Sequence, residues 1–173
     1  MLPAHDDIGA MQELLQSDLA NAGYQQYEVS AYAREGDTCK HNLNYWHFGD
    51  YLGIGAGAHG KISNHEAISR LWKIKHPQGY MDHAGTSEGI GEQIKLSPAD
   101  LVTEFMMNAL RLTEGFDPGL FLETTGINIS EIQNQLRQAE EKKLLDWQVD
   151  KIKPTELGKK FLDDLMLIFL NEK

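Results

Sequence analysis

Residues 97–115 read SPADLVTEFMMNALRLTEG, and this stretch predicts a helix with both ends marked. Ser97 and Asp100 stand at the S-x-x-D capping spacing, Pro98 takes the first helical position and Gly115 supplies the stop. Between them Leu101, Val102, Phe105, Met106, Ala109, Leu110 and Leu112 recur at helical intervals, which marks one buried stripe. Downstream, Asp117 and Pro118 open a short second helix ending near Gly126. Ser130 caps a third, with Ile132, Leu136 and Ala139 as its inner face. LLDWQV and KIK, on either side of Asp150, read as a small hairpin. Thr155, preceded by Pro154, starts a closing helix through Leu157, Phe161, Leu165, Ile168 and Phe169. Three helices, a hairpin and a helix describe a winged-helix-like domain over residues 97–173.

Upstream of that domain, GTSEGIGEQIKL (85–96) is glycine-rich and poor in apolar residues. It reads as a linker or mobile loop, and the domain boundary falls near Leu96. ISRLWKIK, from residue 68, predicts a short strand, and Pro77 favours a helix through GYMDHA. At the front, Asp6 and Asp7 can cap a helix whose apolar positions are Ile8, Met11, Leu14, Leu15, Leu19 and Ala22, with Gly23 as terminator. YQQYEVSAYA then alternates as one strand up to the turn residues REGDT. Helix, glycine and strand form one α/β unit, which needs further strands to make a covered parallel sheet. The expected fold is thus α/β plus α+β.

Composition bounds the function. The chain has 173 residues, 41% hydrophobic and 24% charged, an ordinary globular balance. No run of about 18 apolar residues occurs, and acidic residues interrupt the first helix, so neither a membrane span nor a signal peptide is expected and the location read is cytoplasmic. A formal charge of −10 opposes binding to phosphate backbones. Within 97–173 there are nine Lys or Arg against fourteen Asp or Glu, and the third helix balances Glu131, Glu140 and Glu141 with Arg137, Lys142 and Lys143. No nucleic-acid partner is expected from such a helix.

Chemistry concentrates in CKHNLNYWHFGDYLGIGAGAHGK, residues 39–61. The single cysteine, Cys39, excludes an internal disulfide and an all-cysteine metal or cluster site within one chain. Cys39, His41, His47 and His59 lack the paired spacing of a structural zinc site, so no metal site is assigned. His47, His65, His76 and His83 read as surface or hydrogen-bonded histidines. The run from Gly53 to Gly60 resembles a dinucleotide fingerprint only superficially, because no helix follows it. Bare backbone at Gly53, Gly55 and Gly57 suits close approach of a ligand or, equally, of another chain segment. His41 stands apart. Asn42 can orient an imidazole, and Tyr45 and Trp46 offer flat faces to a planar macrocycle. No acid–base or nucleophile pair stands out, so no catalytic residue is assigned.

The order GYQQYEVSAYA, CKHNLNYW, FGDYLGIGAGAHG and RLWKIKHPQGY resembles the C-terminal part of the HemW family, radical S-adenosylmethionine proteins related to oxygen-independent coproporphyrinogen III oxidase. The resemblance spans about residues 23–173, and its most specific element is H-N-x-x-Y-W, matched by His41, Asn42, Tyr45 and Trp46. It implies heme or a tetrapyrrole at those four residues. Gly53, Gly55, Gly57 and His59 would lie along the rim of a partial (β/α) barrel near S-adenosylmethionine. It further implies a [4Fe–4S] cluster in the full-length protein, heme-accepting proteins as partners, and a division into the last barrel elements (1–62), a connecting segment (63–96) and a winged-helix-like domain (97–173). The family's C-x-x-x-C-x-x-C motif is absent from this chain, which is expected to be inactive alone. The implied role is that of a heme chaperone. The competing expectations are coproporphyrinogen oxidation, within the family, and a free-standing winged-helix interaction module, outside it.

Overall fold

The computed structural model describes residues 4–170. The elements follow as α1 (His5–Asn21), β1 (Gln25–Glu28), β2 (Ala31–Ala33), α2 (Lys40–Trp46), β3 (His59–Ser63), β4 (Ile68–Lys73), α3 (Pro77–His83), β5 (Ile90–Lys95), α4 (Pro98–Ala109), α5 (Pro118–Thr125), α6 (Gln133–Glu141), β6 (Leu145–Trp147), β7 (Ile152–Pro154), α7 (Glu156–Lys160) and α8 (Leu162–Leu167). This is a mixed α/β fold with three small antiparallel sheets, β1-β2, β3-β4-β5 and β6-β7.

The core is built on α4. Its capping box is present as read, with Ser97 Oγ accepting from the Asp100 amide and the Asp100 carboxylate accepting from the Ser97 amide. Two of the four unpaired amides of a helix start are thereby satisfied. Phe105 is fully buried and meets Phe116 and Phe121 edge-on, with ring centroids 5.0 Å apart in each case. Leu136, Ala139, Leu145, Ile152 and Leu165 close the same cluster. Gly126, at φ 73°, ends α5 in the left-handed conformation that favours glycine.

Several sequence expectations need correction. Residues 25–33 are two strands, because the chain turns back at Val29 and Ser30 into a hairpin whose register shifts between Gln26 and Glu28. Only the start of residues 85–96 is turn-like, a bend followed by a 3₁₀ turn at Ser87–Gly89; from Ile90 to Lys95 the chain is β5, which pairs with β4 and leaves its outer positions polar because it edges the sheet. α1 already begins at His5 with Ala4 as cap, so Asp6 and Asp7 lie in its first turn. Asn128, not Ser130, caps the third helix region, which starts as a 3₁₀ turn at Ile129–Ile132 before α6. The closing helix is broken at Phe161 (φ −115°, ψ 47°) into α7 and α8.

The two halves of the chain are tied together by backbone and side chain. The Val29 amide donates to the Arg111 carbonyl (3.1 Å) and the Thr113 amide to the Tyr27 carbonyl (3.2 Å). Phe48 reaches into the core and meets Phe105 edge-on at 5.8 Å. No helix among the described residues is long and apolar enough to cross a membrane.

Candidate functional site

Helix α2 carries the H-N-x-x-Y-W sequence and is held mainly at its C-terminal end. Phe48 adopts φ 58°, uncommon outside glycine. The strain is offset by burying its ring against Phe105. The Gly49 amide then donates to the Asn44 carbonyl at 2.7 Å, and a Cβ on Gly49 would lie 2.2 Å from Asn44 Oδ1, so the turn closes only around glycine. Asn44 Nδ2 donates to the Asp50 carbonyl at 2.9 Å and joins helix to loop.

With that end fixed, the helix has two faces. Inward, the Trp46 indole lies under the Arg111 guanidinium, Cζ 4.6 Å from the ring centroid, and Phe48 enters the core. Outward, His41 is exposed and meets Tyr45 edge-on at 4.9 Å, the one-turn spacing that puts i and i+4 together. Tyr45 in turn packs on Tyr51 at 4.5 Å. Asn42 is half-buried between the faces. An imidazole displayed beside an aromatic face is chemically able to meet a metal centre of a flat macrocycle.

The glycine run has a different explanation. A Cβ on Gly53 would lie 2.2 Å from the His59 carbonyl oxygen, and one on Gly60 3.2 Å from the Gly53 amide. The chain folds tightly onto itself there, with Tyr51 and Lys61 exchanging both backbone hydrogen bonds at 3.0 Å. Gly55 and Gly57 take φ 108° and 69°, Gly55 donating to Tyr80 Oη at 3.1 Å. His59 meets Trp72 at 5.5 Å. The cavity lined by Tyr51, Gly53, Ala58 and Gly60 measures about 60 Å³, well below the several hundred Å³ of small-molecule sites. The run's apolar residues, Leu52 (77% exposed) and Ile54 (86%), face outward. The structure therefore joins His41 to Tyr45 and Gly53 to His59, while it turns Trp46 to Arg111 and His59 to Trp72.

Beneath the loop lies a charged cluster that the sequence reading passed over. Lys61 is 2% exposed; its Nζ lies 3.0 Å from Asp50 Oδ1 and 4.1 Å from the Phe48 ring centroid. Burial pushes the ammonium below its usual value, partly offset by Asp50. Burial raises the Asp50 carboxyl, but hydrogen bonds from the Ser63 amide and hydroxyl and from Lys61 outweigh it and hold the group below its usual value. Arg70 pairs with Glu104 and Tyr51; burial lowers its guanidinium, and those two partners more than restore it. Elsewhere the Arg111–Glu28 pair joins residues 83 apart in sequence, so no local pattern announces it. Lys61 had no periodic signal either, since it and its neighbour Gly60 are both buried in β3.

Among the described residues no group of three or more His, Cys, Asp or Glu could hold a metal ion, and Cys39 is exposed. His76 caps α3, its Nδ1 accepting from the Gly79 amide at 3.3 Å, and His83 Nδ1 lies 2.8 Å from Glu88 Oε2. Larger cavities lie away from α2. One of about 510 Å³ is lined by Leu144, Leu157, Phe161 and Leu167, and one of about 450 Å³ lies between α1 and α7.

Comparison with known proteins places the chain in a family. The HemN C-terminal domain matches residues 96–161. The chain is 42% identical over 173 residues to the heme chaperone HemW of Haemophilus influenzae, covering 99% of this chain and 44% of that protein. It is 41% identical to the heme chaperone HemW of Escherichia coli, covering 45% of it. The chain belongs to the HemW family and corresponds to its C-terminal part. It spans about half the length of these curated HemW relatives. The fold likewise matches the coproporphyrinogen III oxidase (HemN) of Escherichia coli, described as a radical SAM enzyme, with a TM-score of 0.68 at 15% identity over 97% of this chain and 42% of that one. Of the thiolates that an all-cysteine iron–sulfur cluster needs, this HemW-family chain holds one.

Proposed function

We propose that this chain forms the heme-facing part of a heme chaperone, with His41 as the residue that meets the iron and Tyr45 as the flat wall beside it. The observation that carries the reading is the division of α2. Trp46 and Phe48 anchor one face in the body of the protein, while His41 is left exposed on the other at 4.9 Å from Tyr45. An imidazole used only for packing would be covered; this one is displayed from a fixed support. Heme is the cargo, and the protein's share is to orient the imidazole and shield one face of the ring. Asn42 and Trp46 belong to the same site as its support.

Gly53, Gly55, Gly57 and His59 fit S-adenosylmethionine less directly. The close approach at Gly53 is filled by the chain's own His59 carbonyl, so any cofactor would meet the outer edge of this loop, on the side of Leu52 and Ile54. The cluster chemistry of the family belongs to cysteines that this chain does not contain. In the same reading residues 1–62 are the last elements of a partial (β/α) barrel, 63–96 a connecting segment and 97–173 a winged-helix-like domain. The protein works in the cytoplasm and hands heme to accepting proteins.

The test is a heme titration followed by Soret absorbance, run on the full-length protein beside His41→Ala. Affinity should fall at least about tenfold in the variant. An unchanged band and affinity would remove His41 from the site.

A further inference from the structure

The contact that holds the inner face of α2 reaches across the molecule. Arg111, just past α4, places its guanidinium Cζ 4.6 Å from the centre of the Trp46 ring. The same guanidinium pairs through Nη2 with Glu28 Oε1, and its Nη2 also lies 3.3 Å from Ser30 Oγ. Glu28 is 2% exposed and Arg111 26%. Two donors in this stack, Trp46 Nε1 and Arg111 Nε, are buried without a hydrogen-bond partner among the described residues. Unpaired buried donors are unfavourable, so they persist only where surrounding contacts fix their position. Those contacts are the planar stack of guanidinium on indole and the buried carboxylate that fixes the guanidinium.

We propose that Glu28 and Arg111 are positioning residues for the H-N-x-x-Y-W helix: Glu28 orients the Arg111 guanidinium, which holds the Trp46 indole and so sets the direction in which His41 and Tyr45 are presented. This rests on the heme reading for its effect on affinity, but the contact itself can be tested without heme. α2 is only seven residues long and its N-cap makes no side-chain hydrogen bond. Isolated helices of that length are marginal, so its orientation comes from its contacts, with Trp46 and Phe48 reaching furthest into the body and Asn44 and Tyr45 tied to the following loop. Phe48 holds the end of the helix; the Arg111 stack sets its rotation.

The experiment uses the full-length protein with Trp72 and Trp147 replaced by phenylalanine, so that Trp46 emission can be followed separately from that of these two residues. Arg111→Met is studied alone and with Glu28→Gln, the pair leaving no unpaired buried carboxylate if the single variant unfolds. With circular dichroism confirming the fold, Trp46 emission should move to longer wavelength and become more accessible to acrylamide in the paired variant. Arg111→Lys, which keeps charge but lacks the flat fork, should not restore it. Heme affinity should fall about tenfold in the paired variant. The same pair added to Trp46→Phe should cause no further loss, because the effect travels through the indole. Unchanged emission and quenching in a folded paired variant would overturn the proposal, as would losses that simply add to those of Trp46→Phe. If neither His41→Ala nor Trp46→Phe alters heme affinity, the heme reading fails while the emission result still decides the positioning role.

Discussion

Helix α4 buries Leu101, Phe105, Met106 and Ala109, whereas α1, written with the same periodicity, leaves Ile8, Met11, Leu14 and Leu15 between 46% and 64% exposed. Both sequences announce an apolar stripe. The difference lies in what each stripe meets: α4 is faced by α5, α8 and the rings of Phe48, Phe116 and Phe121, while α1 touches mainly β1 and, through Glu13, Lys160. Periodicity states which face of a helix can be buried, and only the partner surface states whether it is.

Substitutions on either helix test that contrast. Phe105→Ala removes the ring on which three others converge and should cost about 3–5 kcal/mol in urea unfolding; a loss below about 1 kcal/mol would mean that the core does not depend on α4. Gly53→Ala forces a Cβ against the His59 carbonyl and should cost about 1–3 kcal/mol, read by the same unfolding curves. A neutral result would return the glycine run to a ligand role. Ser97→Ala opens the capping box and should cost about 1 kcal/mol. Leu14→Gln, on the open face of α1, should change stability by no more than about 0.5 kcal/mol. A large loss there would show that the face is covered after all.

A pH experiment probes the Asp50–Lys61 pair. Asp50 is held below its ordinary value of 3.8, so its contribution to stability is complete above that pH and is lost as pH falls through the lower folded value. The gap between wild type and Asp50→Asn should therefore close on acidification. Lys61 acts in the same direction at the alkaline end: because burial depresses its ammonium below 10.5, its unfavourable contribution is relieved, and stability rises, as pH increases toward that value.

Much of α4 to α8 was legible because it is written in local signals. Ser97, Asp100 and Pro98 mark a start, Gly126 a stop, and Leu136 with Ala139 an inner face, each within a few residues of the element it defines. The front half was less legible for physical reasons. Glu28 bridges to Leu112, far along the chain, and β5 is a strand because β4 offers it an edge. At the candidate site, His41 and Tyr45 share a face by simple i, i+4 geometry, which a sequence shows. Arg111 and Glu28 meet only after the chain has folded, and the glycines of 53–60 look alike on paper whether they receive a ligand or a neighbouring strand.

Whether the exposed imidazole of α2 reaches iron can be measured. Heme-loaded full-length protein and His41→Gly should be compared by absorbance, with and without free imidazole. The variant should lose the Soret position of the parent, and added imidazole should restore it by replacing the missing side chain. A spectrum that is the same in both proteins, and indifferent to imidazole, would contradict this expectation.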